Sequence, residues 1–214
     1  MRAALLLCLF AAPALAETLW LGRFSQGDLA GWERHAFRGE TRYFLVREDG
    51  RSFLRAEARA SASGLIRRVT VDLERTPWLH WSWRPHRRLA GLDERRRGGD
   101  DYVARLYVVV DGGWAFWRTR ALSLVWSSNQ PRGAVWANPY SGNVVMVAVR
   151  GRADAPGRWM RERVDLRALV RRHLGPGVRR IDAVALMTDS DDSGAAVVAD
   201  YGDLWFSSEG DERP

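Results

Sequence analysis

The sequence predicts an all-β fold, a two-sheet antiparallel β-sandwich of the jelly-roll kind, with one short helix near residues 166–174. Three observations lead there. Apolar and polar residues alternate with a period of two in about ten segments, each bounded by Gly, Asp or Pro. Only one stretch carries helical spacing, and no strand–helix–strand alternation is present. Sheets of this kind bury their apolar faces against one another, so two stacked sheets are the economical architecture.

The elements follow in order. Arg42 to Glu48 and Ser52 to Arg59 flank Glu48-Asp-Gly-Arg51, and the Asp49-Gly50 pair suits a tight turn with positive φ, so a β-hairpin is expected. Leu65 to Leu73 is the next strand. Trp78 to Arg84 sets Leu79, Trp81 and Trp83 on one face and His80, Ser82 and Arg84 on the other, with Pro85 ending it. From His86 to Gly99 the chain is charged and poor in large apolar residues, which predicts a mobile surface loop. Tyr102 to Val110, Leu122 to Ser127, Val144 to Arg150 and Trp159 to Val164 read as further strands. Asp165 is placed to cap a helix whose Leu166, Leu169, Val170 and Leu174 share a face before Gly175-Pro176 stops it. Ile181 to Asp189 and Ala195 to Phe206 complete the set. Phe24 and Trp32 near the start are expected beside Tyr201 to Phe206, closing the domain.

Residues 1–16 read as a secretory signal peptide: Arg2 precedes the apolar run Ala3 to Ala12, and Ala14-Leu15-Ala16 offers small residues for cleavage. The expected product is a single domain over residues 17–208 with a disordered tail at 209–214, located in the periplasm or secreted. Cys8 lies inside the leader, so the expected product has neither disulfides nor thiol chemistry. No later run is long enough for a transmembrane anchor. The formal charge of +7, or +6 once Arg2 leaves with the leader, comes entirely from arginine. These arginines are scattered among 26 acids rather than gathered on one face, which speaks against a nucleic-acid partner.

Two acidic groups stand out. Asp189, Asp191 and Ser193, with Gly194 and Asp200, match the spacing of a calcium loop, in which oxygen ligands wrap a hard cation. The flanks are strand-like, however, and a strand from Ala195 carries Asp200 away, so a solvated or arginine-paired turn is the competing reading. The second group is Asp100-Asp101 with Arg105. An arginine inside an apolar strand needs a carboxylate partner, or else receives a sugar or anion. Trp114, Trp117 and Trp136 lie near Gly-rich turns and are the candidates for stacking on a sugar, whereas Trp81 and Trp83 suit packing between sheets. No Gly-x-Ser-x-Gly elbow appears, and His35, His80, His86 and His173 lack zinc-ligand or triad spacing.

Phe24 with Gly27 and Trp32, Ala62-Ser-Gly-Leu65, Pro77-Trp-Leu-His-Trp-Ser-Trp-Arg84, Asp100-Asp101 before Ala104-Arg105, Val125-Trp126, Met187-Thr-Asp-Ser-Asp191 and Tyr201-Gly-Asp203 run through most of the chain. On these residues the sequence resembles the secreted bacterial family known as domain of unknown function 3047. The resemblance implies export and a sandwich, and it supplies no activity or catalytic residue. Asp192 and Ser193 stand where asparagine and threonine are expected. A looser similarity to galactose-binding-like carbohydrate modules is one of fold only. The functional expectation is a non-catalytic ligand-binding sandwich with a glycan or cell-envelope component as partner, through Asp100, Asp101, Arg105, Trp114, Trp117 and Trp136. A carboxylate-dependent glycan hydrolase and a structural envelope protein remain the alternatives.

Overall fold

The computed structural model describes residues 16–111 and 118–210. The expected leader up to Leu15, the tail from residue 211, and Trp114 and Trp117 lie outside the described residues. Within them, two sheets face each other around one large apolar core. The first sheet orders β11 (Met160–Asp165), β6 (Trp78–Pro85), β13 (Ala196–Ser207), β4 (Arg51–Arg59) and β3 (Arg42–Glu48). Strand β1 (Thr18–Gly22) pairs with the end of β13, beyond the part that pairs with β4. The second sheet orders β2 (Glu33–Arg38), β5 (Ala62–Asp72), β12 (Arg180–Asp189), β7 (Arg105–Val110), β8 (Arg120–Trp126), β10 (Val144–Arg150) and β9 (Val135–Ala137). All pairings are antiparallel except β8 with β10, a parallel step that the sequence did not foretell.

Local chemistry explains the elements. Asp49 and Gly50 both take positive φ, 51° and 74°, so the β3–β4 turn has the backbone that its Asp-Gly pair favours. Leu79, Trp81 and Trp83 are buried in the core, as their alternation requires. The one α-helix among the described residues, α1 (Leu166–His173), is capped by Asp165, whose Oδ1 accepts the Ala168 N–H at 2.9 Å. The first and last described strands, β1 and β13, pair to close the sandwich, with Leu19 opposite Phe206, while Phe24 packs against Trp32 at 5.8 Å.

The segment from His86 to Gly99 corrects the expectation of a mobile loop. It is docked. Glu94 is fully buried, and its carboxylate accepts hydrogen bonds from the Ser127 hydroxyl, the Ser128 N–H at 2.8 Å, and the Asn129 N–H and Nδ2, both at 3.1 Å. The Glu94 carbonyl receives Tyr102 OH and Trp136 Nε1. Leu89 is buried as well, its N–H donating to Ser128 Oγ at 3.0 Å. A polar anchor holds the loop where the sequence offers no apolar stripe.

Candidate functional site

The outer face of the seven-stranded sheet carries a groove of about 440 Å³. Its floor follows from strand register. Gly64, Met187 and Arg105 form one cross-strand row over β5, β12 and β7, and Ile66, Ala185 and Tyr107 form the next. Their sequence neighbours Leu65, Leu186 and Leu106 point the other way, into the core. Small residues along the floor, Ala62, Gly64 and Ala185, keep the groove open. Phe37 from β2, Tyr107, and Tyr140 from the segment after β9 supply aromatic surface, with Phe37 66% and Tyr140 52% exposed.

One end of the groove is polar. Asp189, at the end of β12, is held there by buried hydrogen bonds around its neighbour Thr188. Thr188 Oγ1 donates to the Val103 carbonyl at 2.8 Å, its N–H donates to Tyr43 OH at 3.2 Å, and its carbonyl accepts from Thr41 Oγ1 at 2.9 Å. Asp189 pairs through Oδ2 with Arg105 Nη2, and its Oδ1 accepts the Tyr102 N–H at 3.3 Å. Arg105 Nη1 lies 3.7 Å from Asp100 Oδ2, which also accepts Asn138 Nδ2 at 2.9 Å. Asp101 faces the turn between β12 and β13 and accepts the N–H groups of Asp192, at 3.2 Å, and Ser193, at 2.6 Å. Tyr140 OH donates to Asp192 Oδ1 at 2.7 Å.

Electrostatics at this end follow from burial and crowding. Burial pushes the Asp189 carboxyl well above the ordinary range, with Asp101 and Asp100 adding to the shift and Arg105 opposing it. Burial likewise raises Asp100, again against Arg105. Asp191 is raised by burial and then by the charges of Asp192 and Asp101. For the Arg105 guanidinium, burial disfavours the charge, but Asp189, Tyr107, Asp100 and Tyr102 together outweigh it and hold the group firmly protonated. The Tyr140 hydroxyl is pushed up to about 12, chiefly because it donates to Asp192.

Of the residues singled out from the sequence, Asp100, Asp101, Arg105, Asp189 and Asp191 come together here. Ser193 contributes its N–H to Asp101, and its Oγ reaches the Ser190 carbonyl at 3.5 Å. Carboxylate oxygens of Asp101, Asp189 and Asp191 lie within 4.8 Å of one another, the spacing a cation needs. Asp101 and Asp189, however, already spend their oxygens on backbone amides and Arg105, which accounts for them without a metal. Asp200 is absent from the group. It lies on the outer face of the other sheet, bonded to Arg55 Nε at 2.7 Å, Arg84 Nε at 2.8 Å and His86 Nε2 at 2.7 Å, so the twelve-residue loop pattern does not assemble.

Trp136 requires a correction. It is 8% exposed, packs with Tyr102, Val125, Met146 and Ala148, and spends its N–H on the docked loop, so no ring face is left for a sugar. The alternation of its strand put Tyr107 on the same face as Arg105, but sequence reasoning missed Phe37 and Tyr140, since nothing local marks the face that becomes a groove.

Among solved structures the chain is similar to the family 30 carbohydrate-binding module of a cellulosomal cellulase from Clostridium thermocellum. Identity is 10%, the TM-score is 0.50, and 91% of this chain and 99% of that one are covered. It is also similar to the xyloglucanase domain of NopAA, a type three effector from Sinorhizobium fredii, in complex with cellobiose, at 11% identity over 92% of this chain and 100% of that one, with a TM-score of 0.47. A family 11 carbohydrate-binding module from Clostridium thermocellum, in complex with a β-1,3-1,4-mixed-linked tetrasaccharide, is 7% identical over 90% of this chain and 96% of that one, with a TM-score of 0.45. The likeness to the first is one of fold alone. The sequence matches no curated protein. Residues 30–205 match the family described as "Protein of unknown function (DUF3047)", and the chain belongs to that family.

Proposed function

We propose that this protein is an exported, non-catalytic sandwich that binds a glycan in the groove on its seven-stranded sheet. The observation that carries the reading is the groove itself. An open trough about 440 Å³ in volume, floored by Ala62, Gly64 and Ala185 and flanked by exposed Phe37 and Tyr140, ends on Asp100, Arg105, Asn138 and Asp192. Small floor residues admit a ring, aromatic faces pack on its C–H surface, and convergent polar groups satisfy its hydroxyls. The sandwich shared with a carbohydrate-binding module supports the same reading at the level of fold. The signal-like start, Arg2 before Ala3 to Ala12 and Ala14-Leu15-Ala16, supports export. Among the described residues, no helix is long and apolar enough to cross a membrane.

A glycan array tests the proposal. Saturable binding that weakens at least tenfold in Tyr140→Ala and Phe37→Ala is the expected result, since each removes aromatic contact worth about 1.5 kcal/mol or more. Absence of binding to every glycan, or binding that ignores both substitutions, would sink it.

A further inference from the structure

The groove carries the opposite charge to the chain. Against a net +7, its polar end presents Asp100, Asp189, Asp191 and Asp192, with Asp101 beside Asp189 and Asp191. Three cations stand near. Arg105 pairs with Asp189 through Nη2 and comes within 3.7 Å of Asp100 through Nη1. Arg38, its side chain 68% exposed, donates from Nη1 to the Asp191 carbonyl at 3.5 Å and lies 3.9 Å from the Asp191 carboxylate. Arg97 lies over the Tyr140 ring at 5.4 Å, its Nε donating to the Pro139 carbonyl at 3.2 Å. Asp101 accepts two backbone N–H groups, which satisfy its oxygens without cancelling its charge. Five carboxylates thus stand against three guanidiniums, of which only Arg105 is buried among them.

Asp100 is the most telling of the carboxylates. It is 5% exposed; its Oδ2 accepts from Asn138 and lies 3.7 Å from Arg105 Nη1, its Oδ1 accepts no hydrogen bond, and Nε and Nη1 of Arg105 beside it donate none. A buried carboxylate oxygen without a donor is costly, so a ligand that brings a donor into this end recovers that cost. Low-dielectric walls focus the field of the neighbouring carboxylates on the same spot, which favours a donor that is also positive.

Resting on the groove reading above, we propose that the groove selects saccharides bearing a protonated amine, held at the end formed by Asp100, Asp191 and Asp192, and discriminates against uronates. An ammonium group brings three donors and a positive charge to a place where carboxylates outnumber guanidiniums. An N-acetyl group removes the charge, and a uronate carboxylate meets like charges. The preference runs against what the basic composition alone suggests.

Calorimetric titration with glucosamine oligomers, their N-acetylated counterparts and uronate oligomers of equal length tests the order of affinities. The free-amine set should bind about tenfold more tightly than the N-acetylated set, as expected for one hydrogen bond to a charged group, with the uronates weakest. The ratio should shrink as salt is added. Asp192→Asn, a half-buried turn residue, should cut the amine-to-N-acetyl ratio several-fold, and Asp191→Asn serves where Asp192→Asn does not fold. Equal or tighter binding of the N-acetylated or uronate oligomers overturns the charge preference while leaving the groove reading intact. Failure of all three sets, and of every glycan on an array, overturns both.

Discussion

Glu94 is the residue whose removal should change this protein most visibly. Its carboxylate is fully buried and is the shared acceptor for four donors from Ser127, Ser128 and Asn129. In Glu94→Ala those donors lose their partner together. A hydrogen bond to a charged group is worth about 1.5 to 3 kcal/mol, but water entering the space recovers part of several such bonds, so the net loss should be about 3 to 5 kcal/mol. In a domain of this size each kcal/mol moves the melting temperature by about 2 to 4 °C, which gives a drop of about 10 °C or more. The loop should loosen as well, because Leu89 and Gly91 donate to Ser128 and Asn129, the residues that Glu94 positions. An arginine-specific protease should therefore spare the native protein between His86 and Gly99 and cut the variant there. Glu94→Gln places an amide among donors and should fall between the two. A Glu94→Ala protein that melts within about a degree of the native one and gains no new cleavage site would refute this account of the loop.

Two further predictions concern the charged clusters. Asp200 is fully buried; burial alone would raise its carboxyl, but the hydrogen bonds from Arg55, His86 and Arg84 overrule this and hold it below the ordinary range. A depressed carboxyl contributes stability above its unfolded value of about 3.9, and that stability is lost as pH falls through the lower folded value. Asp200→Asn should thus cost about 2 to 4 kcal/mol near neutrality, and denaturant titrations across pH should show the difference from native fading on the acid side. A difference that stays constant with pH would count against the linkage. Arg105→Ala removes the cation beside buried Asp189 and should lower stability by about 3 to 5 kcal/mol. Millimolar calcium added to chelator-treated native protein should leave its melting temperature in place. A rise of several degrees would instead assign the Asp101, Asp189 and Asp191 cluster to a metal.

The sequence by itself determined the local rules. Alternation in Trp78 to Arg84 was enough to send Leu79, Trp81 and Trp83 inward, Asp49-Gly50 dictated the turn, Asp165 dictated the start of the helix, and an arginine in an apolar strand announced that Arg105 needs a carboxylate. Each depends on chemistry within a few residues or on an unavoidable cost of burial. What only the tertiary structure decided is which strands are neighbours. The order β5, β12 and β7 aligns Gly64, Met187 and Arg105 into a floor and makes one outer face a groove, so Phe37, Tyr107 and Tyr140 acquire a shared surface that no local pattern marks. The same long-range order buries Trp136 beneath a loop anchored by Glu94 and puts Asp200 on the opposite sheet from Asp189. Alternation with a period of two fixes which side of a strand faces the core, but it carries no information about what the other side will meet.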